Sequence, residues 1–170
     1  MNPHRGETLF SRLPNETLFK ILLSLPYDEI MERCADTPDL AHICDDYYFW
    51  ATKAKELNVS TQEFARSSLP PNKRYLVLLY EKKGICTKGS EGVIYYRTCV
   101  INAAQRRDET LLEYYAEKYS DMPNFWNDVL LGAARSRHVD IFRWAYENGA
   151  DRNYAFNMAT PYEELLEVLR

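Results

Sequence analysis

The residues of this sequence that come closest to a metal-binding or reactive cluster are Cys34, His42, Cys44 and Asp45. Zinc sites take cysteine and histidine ligands, usually four of them at characteristic spacings. The Cys-x7-His-x-Cys arrangement that runs from Cys34 to Cys44 fits no common zinc spacing, and no fourth ligand lies nearby in the sequence. We therefore predict that this segment is structural and holds no metal.

Catalytic and nucleotide-binding motifs are the second kind of chemistry that residue types and spacing could provide. The chain has three histidines, and none stands beside a serine or a cysteine in a recognisable nucleophile motif. The glycine-rich stretch GICTKGSEG, residues 84–92, lacks the Gly-Lys-Ser/Thr ending of a phosphate-binding loop. We expect no catalytic residues and no cofactor, and therefore a protein that is not an enzyme.

The chain has four cysteines, and their spacing fits no usual disulfide framework. No two of them form a Cys-x-x-Cys pair, and both Cys34 and Cys44 occupy apolar positions of a helix-like pattern. Free cysteines commonly pack as small hydrophobic residues, so we predict structural thiols, with a disulfide or metal role as the less favoured alternative. The other two are Cys86 and Cys99.

Charge and hydropathy restrict the classes of partner. The formal charge of −4 gives no electrostatic reason to bind nucleic acid or an anionic membrane. No apolar run reaches the roughly 18 residues needed to span a bilayer, and the N-terminus lacks the apolar core of a signal peptide. We expect an intracellular protein, cytoplasmic or nuclear, with neither nucleic acid nor a membrane among its partners.

The sequence predicts helices nearly throughout the chain. In FSRLPNETLFKILLSLP, residues 10–26, four apolar residues at the spacing i, i+3, i+4, i+7 indicate one face of a helix. Pro14 suits the first turn, and Pro26 ends the segment because the residue before a proline avoids the helical region. The apolar face consists of Leu18, Ile21, Leu22 and Leu25, and further short helices are predicted near Tyr27, Pro38 and Tyr47.

A capping box gives the clearest helix start in the sequence. Ser60 and Glu63 have the spacing at which a serine side chain and a glutamate satisfy the first amides of a helix. Val59 and Phe64 stand at the two positions of a hydrophobic staple. The sequence therefore predicts a helix that begins directly after Ser60.

A connecting region, residues 59–92, is predicted to follow the N-terminal helices. After two prolines, Asn72 can cap a longer helix, and Gly84 is placed to end that helix in the left-handed conformation. The stretch 84–92 holds three of the six glycines, so we expect a loop there.

The C-terminal half contains an internal repeat. The segment 103–121 aligns without a gap on 133–151, at an offset of 30 residues, and each copy begins with a pair of alanines. Each copy reads as a helix that ends in this small pair, a turn, a second helix and a loop. Small residues let antiparallel helices approach closely, and a period of this length is typical of helical solenoids.

The N-terminal segment, residues 8–58, resembles an F-box, a short helical motif. The motif reads Leu-Pro, then Glu, Leu and Ile at helical spacing, then Leu-Pro again, and ends further along in a short segment before a tryptophan. The matching residues are Leu13, Pro14, Glu16, Leu18, Ile21, Leu22, Leu25 and Pro26, then Ile43, Cys44, Asp45, Phe49 and Trp50.

The F-box resemblance implies a partner, the Skp adaptor of cullin–RING ubiquitin ligases. In that family the first Leu-Pro and the apolar face after it insert into the adaptor, which is helix-in-groove recognition. Ile30 and Trp50 would lie behind this surface. Without the resemblance, the same stripe of leucines is more simply the core side of a helix. The implied docking residues are Leu13, Pro14, Leu18, Ile21, Leu22, Leu25 and Pro26.

The segment GAARSRHVDIFRWAYENGADRN, residues 132–153, resembles an ankyrin repeat. The family pattern has an alanine pair, a Gly-His turn, an Ile/Val pair and a closing Gly-Ala-Asp-x-Asn. His138 stands at the turn, where we expect it to make a structural hydrogen bond, and Gly149 supplies the positive φ that ends the helix. We assign residues 93–170 to ankyrin-like repeats, the last of them a shortened terminal helix.

The resemblance to ankyrin repeats implies a surface for a target protein. One hairpin cannot bury its own apolar face, so we expect the short stack to pack on the preceding helices. The family binds targets through its loops and inner helices, and aromatic residues are enriched at binding hot spots. The implied target-binding residues are Tyr119, Phe125, Trp126, Tyr154 and Phe156.

The sequence as a whole predicts an all-α protein, with an N-terminal F-box-like helical motif packed against a short ankyrin-like helical-hairpin stack. An F-box joined to ankyrin repeats is similar to proteins encoded by large DNA viruses. The resemblance implies a substrate receptor of a Skp–cullin–F-box type ubiquitin ligase, which brings a target to the ligase and makes no bond itself. The alternative is an ankyrin-type binding module, such as a viral host-interaction protein, whose F-box-like helices only cap the core.

Overall fold

A computed structural model describes residues 13–83 and 96–170 of the chain, and within them all regular secondary structure is helical. The prediction of an all-α protein is confirmed. The chain divides into two compact units, with the boundary between Leu79 and Tyr80. None of the helices described is long and apolar enough to cross a membrane.

The N-terminal unit is a series of short helices. Pro14 and Pro26 both have extended ψ values, 142° and 155°, and each directly precedes a helix. The predicted helices beginning near Tyr27, Pro38 and Tyr47 are confirmed. The elements are α1 (Asn15–Ser24), α2 (Tyr27–Asp36), a 3-10 turn (Pro38–Leu40), α3 (Ala41–Cys44), α4 (Tyr47–Ala54), a 3-10 turn (Lys55–Leu57), α5 (Thr61–Ala65) and α6 (Pro71–Lys82).

Two of the predicted helix-start signals have different outcomes. The side chain of Ser60 accepts a hydrogen bond from the Glu63 amide at 3.1 Å, so the predicted start of α5 is confirmed. The prediction that Asn72 caps the next helix is wrong, because α6 begins one residue earlier, at Pro71. A proline suits the first helical position, since its missing N–H is not needed there. Gly84 and the loop predicted over 84–92 lie outside the described residues.

Aromatic side chains form the core of the N-terminal unit. The Trp50 ring is fully buried and lies 5.4 Å from the ring of Tyr75 and 5.7 Å from that of Tyr27. The indole N–H of Trp50 donates a hydrogen bond to the carbonyl of Cys44 at 2.6 Å, so this buried polar group is satisfied. α2, α3, α4 and α6 are therefore held around one tryptophan.

A disulfide joins Cys34 to Cys44, so the prediction of free structural thiols at these positions is wrong. The 3-10 turn between α2 and α3 reverses the chain and brings the two Cα atoms to 6.1 Å, a separation that a disulfide spans. Apolar helical spacing describes a buried disulfide as well as a buried thiol, and for this reason the sequence pattern did not distinguish them. Cys99 is disulfide-bonded as well.

The C-terminal unit consists of helical hairpins. Each pair of helices is joined by a short turn, and the second pair follows the first at the repeat offset. The helices are α7 (Arg97–Gln105), α8 (Glu109–Tyr119), α9 (Phe125–Ser136), α10 (Val139–Glu147), α11 (Arg152–Ala159) and α12 (Glu163–Leu169).

The turns of the first two hairpins have the same backbone structure. Arg107 and Arg137, which are 30 residues apart, both adopt left-handed φ values, 53° and 56°. The next amides, of Asp108 and His138, each donate to the carbonyl of the first alanine of the preceding pair at 2.9 Å. The internal repeat is thus confirmed in the backbone. The predicted structural hydrogen bond of His138 is confirmed too, between its Nε2 and the carbonyl of Gln105 at 2.9 Å.

Small residues let α7 and α9 cross closely. Gly132 lies in α9 at this crossing, and a Cβ atom added to it would collide with the carbonyl oxygen of Ile101 and would lie 2.6 Å from the Cβ of Ala104. Ala133 and Ala134 are buried beside it. The alanine pairs of the repeat therefore lie at the inner contact between hairpins, as the sequence predicted.

The last repeat differs from the sequence-based expectation. We predicted a single shortened terminal helix, and the structure has two, α11 and α12, separated by residues 160–162. Pro161 contributes to the break because it cannot donate an intrahelical hydrogen bond, and the backbone becomes extended at Tyr162, with φ −133° and ψ 111°. Asp151 begins the hairpin: its side chain accepts a hydrogen bond from the Tyr154 amide at 2.8 Å.

Candidate functional site

The residues implied to dock an adaptor divide into an exposed group and a buried group. Leu13 is 36% exposed, and Pro14 and Pro26 are exposed as well. Ile21 and Leu25 are partly exposed. These five accessible apolar residues lie on α1 and at its two ends, and we call them together the α1 strip.

Leu18 and Leu22 belong to the core instead. Their exposed fractions are 3% and 0%, and both lie on α1 one turn apart. Ile30 and Trp50, which we placed behind the docking surface, are also fully buried. A partner that binds the folded unit would therefore meet the α1 strip, while Leu18 and Leu22 hold the helix against the unit.

A buried lysine fixes the C-terminal end of α1. The ammonium group of Lys53 donates to the carbonyl oxygen of Leu23 at 3.0 Å and pairs with the carboxylate of Glu56 at 2.8 Å. The Tyr75 hydroxyl donates to the same carboxylate at 2.5 Å. Burial, followed by this hydrogen bond and the charge of Glu56, raises the pKa of Tyr75. Since a buried charge must be paired, this network anchors the C-terminal end of α1 to α4.

A polar concave site of the C-terminal unit lies where α7, α9 and α11 begin. It is a cleft of about 460 Å³, and it is formed by the first turns of three successive hairpins together with the loop before α9. We call it the hairpin cleft. It is lined by Tyr96, Arg97, Pro123, Asn124, Asn127, Asp128 and Tyr154.

An ion pair forms the charged part of the hairpin cleft. The Asp128 side chain is only 5% exposed, and its carboxylate accepts a hydrogen bond from Nε of the largely exposed Arg97 at 2.8 Å. Burial raises the pKa of Asp128, and the hydrogen bond and charge of Arg97 only partly oppose this effect. The pair thus presents the guanidinium group of Arg97 to solvent, with its countercharge beneath.

Hydrogen bonds fix the walls of the hairpin cleft. The Tyr96 hydroxyl donates to the carbonyl of Pro123 at 2.7 Å, which ties α7 to the loop before α9. The side-chain oxygen of Asn127 accepts from the Asp151 amide at 2.8 Å, which ties α9 to the start of α11. Burial, with a smaller contribution from the charge of Asp128, raises the pKa of Tyr96 and of Tyr154. Both phenols therefore remain neutral hydrogen-bonding groups at physiological pH.

The residues implied to bind a target are only partly brought together. Tyr119 and Phe125 are buried, and their rings pack around the ring of Tyr96 at centroid distances of 5.2 Å and 6.1 Å. Tyr154 lines the hairpin cleft, and Trp126 lines a smaller pocket that adjoins it.

Phe156 lies elsewhere. Its side chain is 57% exposed and lines a separate groove between α11 and α12, together with Leu166 and Leu169. The sequence reasoning missed Tyr96, Arg97 and Asp128. The sequence signal that could have indicated Asp128 is its position directly before the apolar run Val129-Leu130-Leu131, in the first turn of α9.

The hairpin cleft offers charged, amide and phenol side chains, which can bind a ligand by ion pairs and hydrogen bonds. Among the described residues that line the cleft there is no histidine, cysteine or serine. In residues 13–83 and 96–170, no group of three or more His, Cys, Asp or Glu side chains is arranged to hold a metal ion. The groups present can bind a polar segment of another protein.

Comparison with known proteins gives no family. No family model, no curated protein and no solved structure matches the chain.

Proposed function

We propose that this chain is a non-enzymatic substrate receptor of a Skp–cullin–F-box type ubiquitin ligase. The N-terminal unit docks the Skp adaptor through the α1 strip, and the C-terminal unit holds a target protein at the hairpin cleft. The observation that carries the proposal is that Leu13, Ile21 and Leu25 of the Leu-Pro-bracketed helix remain accessible in the folded unit. The order of residues that resembles an F-box supplies the identity of the partner.

The hairpin cleft supports the second half of the proposal. Loop ends and inner helices form the binding surfaces of helical repeat proteins. Here the cleft joins three hairpins and combines a cation with two phenols and two amides. Tyrosine and arginine are the residue types that carry binding energy at many interfaces.

The second candidate function is a protein-binding module without ligase engagement. The observation that favours it is the burial of Leu18 and Leu22, which makes part of the F-box-like face a structural cap. In this case the hairpin cleft would still bind a target, and the α1 strip would bind nothing. The two candidates therefore differ only in what happens at α1.

Co-purification of the full chain with a Skp adaptor separates the two candidates. The test variant is Leu13→Asp/Ile21→Asp, which places two charges in the α1 strip and leaves the buried leucines unchanged. The matched control is Tyr48→Asp, because Tyr48 is 75% exposed and lies on α4 of the same unit. Circular dichroism establishes that each variant is folded.

For a substrate receptor, the wild type and the Tyr48→Asp variant capture the adaptor stoichiometrically, and the α1-strip variant captures none while remaining folded. If the wild type captures no adaptor, the binding module is the better description. Equal capture by all three proteins would place the adaptor contact away from α1 and overturn the proposed docking mode.

A further inference from the structure

A second groove of the C-terminal unit lies between α8 and α10, the second helices of the first two hairpins. It has a volume of about 230 Å³ and is separate from the residues that line the hairpin cleft. Its apolar wall is Leu112, Ile141 and Trp144, and its three titratable residues are Glu109, Glu113 and Asp140. We call it the acidic groove.

The acidic groove carries excess negative charge. Glu109 and Glu113 are exposed on successive turns of α8, and neither takes part in an ion pair described for this unit. Like charges at this spacing destabilise a helix slightly. A bound cation would relieve that repulsion.

The third carboxylate is already neutralised. Arg107, in the turn before α8, donates to Asp140 through Nε at 2.9 Å and through Nη2 at 2.5 Å. Despite partial burial, these hydrogen bonds and those from backbone amides lower the pKa of Asp140. Arg143 is exposed on α10 and does not line the groove, and neither Arg106 nor Arg137 lines it. Within residues 13–83 and 96–170, the negative charges of Glu109 and Glu113 therefore remain uncompensated by an ion pair.

Trp144 gives the acidic groove an aromatic surface with a fixed orientation. Its ring meets the ring of Trp126 edge to face, at a centroid distance of 4.9 Å, so one side of the indole is held by the protein. Tryptophan is the aromatic side chain that attracts cations most strongly. Leu112 and Ile141 are buried beneath it.

We propose that the acidic groove binds an arginine or lysine side chain presented by a partner protein. Typical small-molecule sites occupy about 300–1,000 Å³, so this smaller groove suits one long side chain. The aliphatic stem of such a side chain packs on the apolar wall, and its charged head meets Glu109 and Glu113. This surface is distinct from both sites of the proposed function and does not depend on that function.

Nuclear magnetic resonance on the full ¹⁵N-labelled chain tests the proposal directly. The probe is the peptide acetyl-Gly-Arg-Ala-Ala-Arg-Gly-amide, and the matched peptide has glutamine in place of both arginines. The reporter is the indole N–H signal of Trp144, assigned from triple-resonance spectra. We expect this signal to shift on titration with the arginine peptide and to stay in place with the glutamine peptide.

Charge variants test which carboxylates are used. Glu109→Gln/Glu113→Gln should weaken binding of the arginine peptide roughly tenfold, the effect of losing two partly screened ion pairs. The control is Glu32→Gln/Glu164→Gln, which changes the net charge equally at two exposed residues outside the groove. A Trp144 signal that does not respond to the arginine peptide overturns the proposal, and so does equal weakening in both double variants.

Discussion

The Asp128 carboxylate shows how one buried charge organises the hairpin cleft. It lies beneath the exposed guanidinium group of Arg97 and contributes to the raised pKa values of Tyr96 and Tyr154. An ion pair with one buried partner is weak support for stability, because the desolvation of the Asp128 carboxylate offsets much of its attraction to Arg97. We infer that this pair contributes more to the shape and polarity of the cleft than to the free energy of unfolding.

The raised pKa of Asp128 predicts a characteristic pH dependence. Because its pKa in the folded protein lies above the ordinary 3.8, the folded state binds more protons than the unfolded state between these two values. Asp128 therefore favours folding most at low pH, and this contribution falls as pH rises through that window. In urea unfolding from pH 3 upward, the stability of wild type relative to Asp128→Asn should decrease with pH.

Asp121→Asn is the control for this measurement, because Asp121 is an exposed aspartate of the same unit. The stability of the wild type relative to Asp121→Asn should not decrease with pH in the same way. If the wild type instead gains stability over Asp128→Asn as pH rises, the attraction of Arg97 outweighs burial and the pKa of Asp128 is lowered.

At the scale of the element, the contact between α7 and α9 depends on the absence of a side chain at Gly132. An added methyl group would meet the backbone oxygen of Ile101, which cannot move without shifting α7. Gly132→Ala should therefore lower the free energy of unfolding by about 1–3 kcal/mol, the usual cost of overpacking, despite the better helix propensity of alanine. Thermal or urea unfolding followed by circular dichroism measures this loss.

Ser136→Ala is the matched control for Gly132→Ala, since Ser136 is exposed at the end of the same helix. It should be neutral or slightly stabilising. A Gly132→Ala protein as stable as the wild type would mean that α7 and α9 adjust without cost, and that the crossing does not require glycine at this position.

Helices and their hairpins were predictable from sequence, while the details of their ends were less so. The repeat offset placed the turns of Arg107 and Arg137 correctly, because identical spacing imposes the same backbone path. The last hairpin was predicted as one helix, since its apolar spacing continues on both sides of Thr160-Pro161. The start of α6 was missed because an asparagine and a proline were both suitable, and the proline took the first helical position.

The candidate sites were less predictable than the fold. Aromatic residues in loops were expected to be exposed, yet Tyr119 and Phe125 are buried, because a short stack needs large side chains to fill its core. Leu18 and Leu22 are buried for a related reason: α1 must be anchored to its own unit before it can present the α1 strip. The packing of the two units on each other stays a prediction.

At the scale of the whole molecule, disulfides change the inference about compartment. Free thiols would agree with the predicted intracellular compartment, whereas the structure has Cys34 bonded to Cys44 and Cys99 in a disulfide as well. Disulfides persist mainly in oxidising environments. The compartment therefore stays a prediction that rests on charge and hydropathy, and the redox state of the chain becomes an experimental variable.

Reduction should destabilise the N-terminal unit. Cys34 and Cys44 are 10 residues apart, and closing a loop of this size contributes about 2–3 kcal/mol by restricting the unfolded chain. In urea unfolding with and without dithiothreitol, we expect the transition reported by the buried Trp50 to move to lower urea when the protein is reduced. Because Trp126 and Trp144 lie in the other unit, Trp126→Phe/Trp144→Phe isolates the Trp50 signal.

The variant Cys34→Ser/Cys44→Ser separates the effect of this disulfide from that of the bond at Cys99. In the Trp126→Phe/Trp144→Phe background it should show the lower transition without reductant and respond little to dithiothreitol. A Trp50 transition that is equal in oxidised and reduced protein would mean that the aromatic core around Trp50 determines the stability of the unit. It would also mean that the N-terminal unit folds equally well under reducing conditions.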